Sequence, residues 1–293
     1  MADTHSTDVR IEILRDGNQE RLEDFVRPHI DSSLFLLNNS RRVGLIDSGQ
    51  LFEGTYYAAV ADDRIVGVIA QYWQGNLVLQ APGCVAALMT EIKASAPRRI
   101  GGLLGPADQV AEAKRLLGWG EGDVQLDDVE GLYALPLAEL NVPEALSSGR
   151  LSGRRMQPAD LDQVAEWRRD YHLEALGAED SPELLEQCRA DMDASQKRGD
   201  TWVLDDGGKL VASTSFNAAI AEAVQVGGVW TPPALRSRGY GSAVVAVSLL
   251  DARDEGVDRA ILFTGDDNKA ARASYAKLGF ARIGDYRVVL RAS

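Results

Sequence analysis

One segment of the sequence combines residue types that bind a polyanion. Residues 236–241 read Arg-Ser-Arg-Gly-Tyr-Gly and lie between a strand-like run, Ala223–Trp230, and a long apolar run, Gly239–Arg253, typical of a helix. Glycines let successive backbone N–H groups approach a ligand, and the start of a helix adds the positive end of its dipole. Two arginines add charge-assisted contacts. The segment therefore predicts a pyrophosphate site built from Arg236, Ser237, Arg238, Gly239, Tyr240, Gly241 and Ser242.

A second segment carries an amide and a phenol at helical spacing. Asn268 precedes a predicted helix, Lys269–Leu278, and Tyr275 follows seven residues later, close to two helical turns. Gly279 suits the left-handed residue that ends a helix. Both side chains can therefore lie along one helix edge.

These segments resemble the GNAT superfamily of N-acetyltransferases. Its acetyl-CoA loop has the pattern Arg/Gln-x-x-Gly-x-Gly/Ala, which Arg236, Gly239 and Gly241 match in type and spacing. Asn268 and Tyr275 match the family's residues after the fifth strand. The resemblance covers residues 150–293, and its specific motifs occupy residues 224–280.

The resemblance implies a role for each matched residue. Asn268 would contact the pantetheine arm of acetyl-CoA, and Arg272 on the same helix is included in the expected binding set. Tyr275 would lie near the thioester sulfur, where its phenol can protonate the departing thiolate. In this family the fourth strand is bulged and separates from the fifth, and the paired glycines Gly227 and Gly228 fit such a bulge. The backbone groups then free to bind pantetheine and polarise the thioester carbonyl are those of Val229, Trp230 and Thr231.

The general base is where the sequence departs from the family. Many members carry a Glu on the fourth strand, but the corresponding position falls at or near Gln225, whose amide accepts no proton at neutral pH. Glu222 lies three residues earlier, so strand alternation points it to the other face unless a bulge re-aims it. The alternatives are Glu174, Asp170, or an amine that arrives already deprotonated. Glu222 is kept as the candidate base beside Tyr275 as the acid.

The chain reads twice in the same order of strands and helices. Residues 113–119 (AKRLLGW) parallel residues 274–280 (SYAKLGF), and both halves have two strand-like runs joined at an Asp-Asp turn. The first half lacks the Arg-x-x-Gly-x-Gly pattern and has Lys114 where the second has Tyr275. We expect an α+β fold of two GNAT-like domains, each a mostly antiparallel twisted sheet flanked by helices. The expected boundaries are 1–140 for a degenerate domain and 150–293 for the catalytic one.

Composition excludes several classes of protein. The net charge of −13 disfavours a nucleic-acid partner, and no apolar run is long enough to cross a membrane. No His and Cys spacing suggests a metal site, and two cysteines in different halves fit a reducing, cytoplasmic setting. The sequence leaves monomer and dimer open.

The expected function is an N-acetyltransferase that uses acetyl-CoA as co-substrate and a small-molecule amine as acceptor, by direct attack of the amine on the thioester. Two alternatives stay open, a non-catalytic acyl-CoA sensor and a protein-lysine acetyltransferase. The aromatic and charged stretch from Trp167 to Glu174 occupies the family's acceptor-lining region, and its composition suits a small polar acceptor.

Overall fold

A computed structural model of the chain describes residues 9–175 and 177–292. The strands are β1 Arg10–Ile13, β2 Gly54–Ala61, β3 Arg64–Tyr72, β4 Asn76–Gln80, β5 Gly102–Pro106, β6 Val124–Pro136, β7 Ser152–Arg155, β8 Thr201–Asp205, β9 Leu210–Ala219, β10 Ala223–Trp230, β11 Arg259–Gly265 and β12 Ala281–Arg291. The helices are α1 Gln19–Val26, α2 Ile30–Val43, α3 Val85–Ser95, α4 Ala107–Leu117, α5 Glu144–Ser147, α6 Leu161–Ala175, α7 Pro182–Arg198, α8 Tyr240–Asp254 and α9 Lys269–Leu278. No helix in the described part of the chain is long and apolar enough to span a membrane.

The chain divides into two compact units whose boundaries differ from those expected. Unit 1 holds the described residues up to Leu132 and those from Gly284 onward, and unit 2 holds Tyr133–Ile283. The expected second domain, 150–293, included the last strand. Tyr286–Leu290 instead pair antiparallel with β5, and Val289 is buried in the core of unit 1. Backbone pairing and apolar burial therefore assign the end of the chain to the unit that begins it.

Unit 1 is built on a sheet in which β1, β2, β3, β4 and β5 are neighbours in that order. The pairs are antiparallel except for β4 with β5, which are parallel. Asp62 and Asp63 at the β2–β3 turn both have positive φ, +48° and +61°, as a two-residue hairpin turn requires. The predicted hairpin is confirmed.

Unit 2 repeats this plan with β7, β8, β9, β10 and β11 as neighbours, and only β10 and β11 are parallel. Helices cover both faces of its sheet. Trp202 packs with residues of α8, and the adjacent Val203 packs with α6 and α7, because successive strand residues point to opposite faces. Helices α4 of unit 1 and α9 of unit 2 both end at a left-handed glycine, Gly118 and Gly279. The expected α+β fold of two similar units, each a mostly antiparallel sheet flanked by helices, is confirmed.

Candidate functional site

Strand β10 separates from β11 partway along its length. Over the described residues the two strands pair at Ala223–Gln225, opposite Arg259–Ile261, and no further, although β10 continues to Trp230. The register of β10 with β9 shifts between Gly227 and Trp230, and Gly228 has a φ of +57°, which glycine adopts without strain. The expected bulge and separation of the strands are confirmed. The backbone after Gln225 is therefore turned away from β11.

A tight, exposed turn joins the end of β10 to α8. A short 3-10 turn, Pro233–Leu235, leads into residues 236–239, all of them exposed. Ser237 has a φ of +64° and Gly239 a φ of +80°. Gly239 is the N-cap residue of α8, so the left-handed conformation there aims the first turn of the helix back toward β10. The predicted loop thus lies at a strand end, on the surface, and directly before a helix.

The first turn of α8 carries backbone N–H groups that no acceptor among the described residues uses. The first hydrogen bond inside the helix runs from the Ala243 N–H to the Gly239 carbonyl at 3.0 Å, so the N–H groups of Tyr240, Gly241 and Ser242 precede it. A Cβ built on Gly241 would lie 3.7 Å from Thr231 Oγ1. The end of β10 and the start of α8 are therefore close neighbours, and glycine leaves these amides accessible to an anion.

The side chains of the loop have partners of their own. The Arg236 guanidinium lies 5.0 Å from the Trp230 ring centroid, its Nε donates to the Thr231 carbonyl at 3.1 Å, and a terminal nitrogen is 2.8 Å from Glu174 Oε2. The Tyr240 hydroxyl donates to Asp206, a bond that raises the pKa of this tyrosine. Tyr240 can therefore serve a ligand through its backbone N–H, while Arg236 must exchange an exposed ion pair for a phosphate.

Helix α9 places Asn268 and Tyr275 in different surroundings. Asn268 is the N-cap residue, and its Oδ1 accepts the Ala271 N–H at 3.1 Å, which leaves the Nδ2 donors for another partner. Tyr275 is 8% exposed and packs edge-on against Phe280, with ring centroids 5.9 Å apart. Arg272 points back to Asp266, whose carbonyl accepts its guanidinium at 3.0 Å. These three residues share α9, but Tyr275 also belongs to the core.

Glu222 lies far from the loop. It precedes β10, in the turn where the Ile220 N–H donates to the Ala223 carbonyl. Six residues separate Glu222 from Gly228, which is about 20 Å of extended strand. Gln225 occupies the point where the strands part; it is buried, and its Nε2 donates to the Val226 carbonyl at 3.1 Å. The extended strand thus separates the candidate base Glu222 from the bulge, and the bulge follows Glu222 and cannot re-aim it.

Helix α6 runs beside the bulged end of β10, and successive turns of the helix contact successive positions along the strand. The Arg168 guanidinium lies 2.9 Å from where a Cβ on Gly228 would be. Tyr171 packs edge-on against Trp230 with centroids 6.4 Å apart. One turn further, Glu174 holds Arg236. Sequence reasoning placed this stretch in the acceptor region but did not single out Arg168, although an arginine on the inner face of an amphipathic helix was the available signal.

Strands β4 and β5 of unit 1 do not separate in the way that β10 and β11 do. Gly105 of β5 approaches β4 so closely that a Cβ on it would lie 2.8 Å from the Leu79 carbonyl oxygen, so these strands stay together beyond their last paired residues. Lys114, at the position matching Tyr275, forms an ion pair with Asp127 at 2.5 Å. The turn after β4 contains Gly83 but no arginine. The two halves were expected to differ in their ability to bind acetyl-CoA, and they differ in the separation of the corresponding strands.

Two concave regions lie elsewhere. One of about 370 Å³ in unit 1 is lined by Glu23 and Arg41 among others, and one of about 330 Å³ in unit 2 borders Trp202, Phe216 and Val224, near the β9–β10 turn. Neither includes the loop. Within the described residues no group of three or more His, Cys, Asp or Glu side chains could hold a metal ion.

Comparison with known proteins agrees with the geometry. Residues 161–280 match the Acetyltransferase (GNAT) family. No curated protein matches the sequence.

Solved structures match both units together. A GNAT-family acetyltransferase from Colwellia psychrerythraea is 15% identical, with 97% of this chain and 100% of that chain covered and a TM-score of 0.56. A GCN5-related N-acetyltransferase from Sphaerobacter thermophilus is 14% identical over 97% and 96%, with a TM-score of 0.59. A tandem GNAT protein from the clavulanic acid biosynthesis pathway is 14% identical over 97% and 98%, with a TM-score of 0.57. Identities this low show the fold alone, and the resemblance to a tandem GNAT arrangement is confirmed.

Proposed function

We propose, for a chain whose residues 161–280 match the GNAT acetyltransferase family, that unit 2 binds acetyl-CoA and transfers its acetyl group to the amine of a small molecule. The binding residues are the loop 236–242, the strand end Val229–Thr231, and Asn268 and Arg272 on α9. Unit 1 has no part in binding the co-substrate.

The observation that carries the proposal is the parting of β10 from β11 directly before the loop. Pairing stops at Gln225 while β10 continues to Trp230, so backbone groups on that edge are available to the two amides of pantetheine, much as to an added strand. The strand then leads to the free amides at the start of α8, which suit a pyrophosphate. CoA presents an extended pantetheine arm followed by a dianionic pyrophosphate, in the same order as these two sets of backbone groups.

The same backbone supports the chemistry. The amine nitrogen attacks the thioester carbon, negative charge develops on the carbonyl oxygen, and an N–H of the bulged segment stabilises that charge. The carbon–sulfur bond then breaks, and the Tyr275 hydroxyl gives its proton to the thiolate. Tyr275 thus serves as the acid from a largely buried position. After it gives up its proton, it must be reprotonated by solvent or by the proton that the amine releases.

The amine nitrogen must lose a proton, and the chain offers no carboxylate where the family often has one. Gln225 is buried and accepts no proton, and Glu222 lies about 20 Å along the strand. The amine therefore attacks in its neutral form. The rate of acetyl transfer should therefore rise with pH up to the pKa of the amine itself. It should show no separate step at the pKa of an enzyme carboxylate.

A second function is favoured by a specific observation, the Gln at position 225. A chain that binds acyl-CoA without transferring its acyl group would need the loop and the strand edge but no base. Acetylation of protein lysines is a further alternative, and it would differ from the main proposal in the acceptor alone.

The deciding experiment measures thiol release from acetyl-CoA with a panel of amino acids, aminoglycosides, polyamines and lysine peptides, beside CoA binding by calorimetry. Turnover with a small amine supports the proposal. Turnover with peptides alone favours the lysine acetyltransferase. Tight CoA binding without thiol release across the panel rejects the enzyme in favour of the sensor, and the absence of CoA binding rejects both.

A further inference from the structure

Arg168 of α6 is a half-buried cation without an acidic partner in the described part of the chain. No carboxylate among residues 9–175 and 177–292 forms an ion pair or hydrogen bond with its guanidinium, and its Nε is buried without a hydrogen-bond partner among them. Other arginines of α6 and of the loop are paired: Arg169 with Asp170 at 3.0 Å, and Arg236 with Glu174 at 2.8 Å. Removing a guanidinium from water without an anion is costly, so such a residue points to a ligand that supplies one.

The Arg168 guanidinium lies between an aromatic ring and the bulged strand. Its guanidinium carbon lies 5.2 Å from the Tyr171 ring centroid, and one terminal nitrogen lies against Gly228, where a Cβ would be 2.9 Å away. Tyr171 in turn packs on Trp230, whose indole Nε1 is also buried without a partner among the described residues. Arg168 and the Trp230 indole can donate a hydrogen bond but cannot accept one. The adjacent His172 Nε2 and Thr231 Oγ1 are likewise buried without a partner among the described residues. A ligand that satisfies Arg168 must supply an acceptor, and a carboxylate matches the planar fork of arginine.

The positive charge of Arg168 acts on its neighbour His172. Burial lowers the pKa of His172, and the nearby Arg168 lowers it further, against an opposing effect of Asp191. Both of these effects favour the neutral imidazole of His172. The planar guanidinium of Arg168 suits a carboxylate, whose two oxygens can accept from it side by side.

Arg168 also lies at the reacting end of the proposed CoA site. Successive turns of α6 contact successive positions along the strand and loop. Arg168 lies against Gly228, Tyr171 packs on Trp230, and Glu174 forms an ion pair with Arg236. The helix therefore runs beside the strand from the bulge toward the pyrophosphate loop. A thioester held by the bulged backbone lies at the Arg168 end. A carboxylate bound there would leave only a few bonds between itself and the nitrogen that attacks.

We propose that the acceptor is an amine that carries a carboxylate close to its nitrogen, an amino acid in the simplest case, and that Arg168 binds this carboxylate. The inference rests on the proposed acetyl transfer and names its substrate class. Arg168 is a binding and positioning residue in this scheme: the amine nitrogen forms the bond to the acetyl carbon, and the thiol leaves as described above.

The test compares the common L-amino acids with their C-terminal amides as acceptors, for the native chain and for Arg168→Gln, Arg168→Lys and Arg169→Gln. The amide keeps the nitrogen and the side chain but removes the negative charge; because it also lowers the pKa of the amine, the two acceptors are compared at equal concentrations of neutral amine. We expect the native chain to prefer acid over amide in kcat/KM by about 100-fold. Arg168→Gln should abolish that preference, Arg168→Lys should retain part of it, and Arg169→Gln should keep all of it. Equal thermal stability of the variants separates this effect from a purely structural one.

Outcomes that overturn the inference are distinct from those that overturn the acetyltransferase itself. Turnover that does not distinguish acids from amides, or a preference that survives Arg168→Gln, rejects the carboxylate site and leaves acetyl transfer standing. If no acceptor is turned over, calorimetry of the amino acids on the CoA-loaded protein decides. Binding that depends on Arg168 supports the site without catalysis, and no binding rejects it.

Discussion

Replacing Gly239 with leucine tests the proposed anion site through a single backbone position. Gly239 caps α8 with a φ of +80°, and no atom lies within 4 Å of where its Cβ would be. Gly83 of unit 1 offers a matched control, since its φ is +71° and the space around its Cβ is equally open. Leucine at either position therefore fits sterically but must adopt a left-handed backbone conformation.

The two substitutions should cost similar stability and differ in ligand affinity. A left-handed non-glycine residue costs about 1–2 kcal/mol, so both variants should lower the free energy of unfolding by that amount. At Gly239 the new side chain also covers the amides that would face the pyrophosphate. Loss of two charge-assisted hydrogen bonds at about 1.5 kcal/mol or more each weakens CoA binding by at least about 100-fold.

Calorimetric titration with CoA measures the affinity, and thermal unfolding followed by circular dichroism measures the stability. Gly239→Leu should lose affinity by at least the amount above, whereas Gly83→Leu should bind CoA within about twofold of the native chain. The reasoning fails if both variants lose affinity equally, or if Gly239→Leu binds CoA as the native chain does while remaining folded.

Three further predictions concern single side chains. Tyr275→Phe should lower kcat by about 100-fold with CoA affinity unchanged, and an unaltered kcat at every pH would remove its role as acid. Asn268→Asp keeps the oxygen that caps α9 but loses the Nδ2 donors, so it should leave the melting temperature nearly unchanged and weaken CoA binding, while equal affinity would assign Asn268 to capping alone. Hydrogen bonds from the Arg41 guanidinium and then from Gln19 lower the pKa of Glu23 from 4.5 to about 2, so these contacts stabilise the fold above pH 4.5 and their contribution is lost as the pH falls toward 2. Chemical unfolding of Glu23→Gln should therefore show a deficit of about 1 kcal/mol at pH 6 that vanishes near pH 2, and a deficit constant with pH would contradict the assignment.

Local patterns predicted the loop and its flanking elements well. The glycines of residues 236–241 and the apolar run behind them fix where a strand ends and a helix begins, and α8 starts at Tyr240, one residue from the predicted start. Asp62 and Asp63 likewise defined a hairpin from two residues. In such cases the backbone conformation depends on the residues themselves, which is why the sequence alone is informative.

Contacts between residues far apart in the sequence could not be predicted from local patterns. Nothing in the sequence of the last strand distinguishes β5 as its partner, because antiparallel pairing depends on which edge is available rather than on local preference. Arg168 was missed for a related reason: its lack of an acidic neighbour becomes visible only when α6 lies against Gly228. Glu222 was a candidate by proximity in sequence, whereas its distance from the bulge follows from the extended strand between them.

The assignment of the last strand to unit 1 has a consequence for biosynthesis. About 150 residues separate Leu132 from Gly284, so a ribosome finishes the whole of unit 2 before it makes the segment that buries Tyr286 and Val289. Domains that emerge first usually fold first. Here unit 1 cannot complete its sheet until unit 2 has been synthesised, and until then the edge of β5 that pairs with β12 has no partner strand. Nascent chains stalled before residue 284 should therefore be the species that chaperones and proteases recognise.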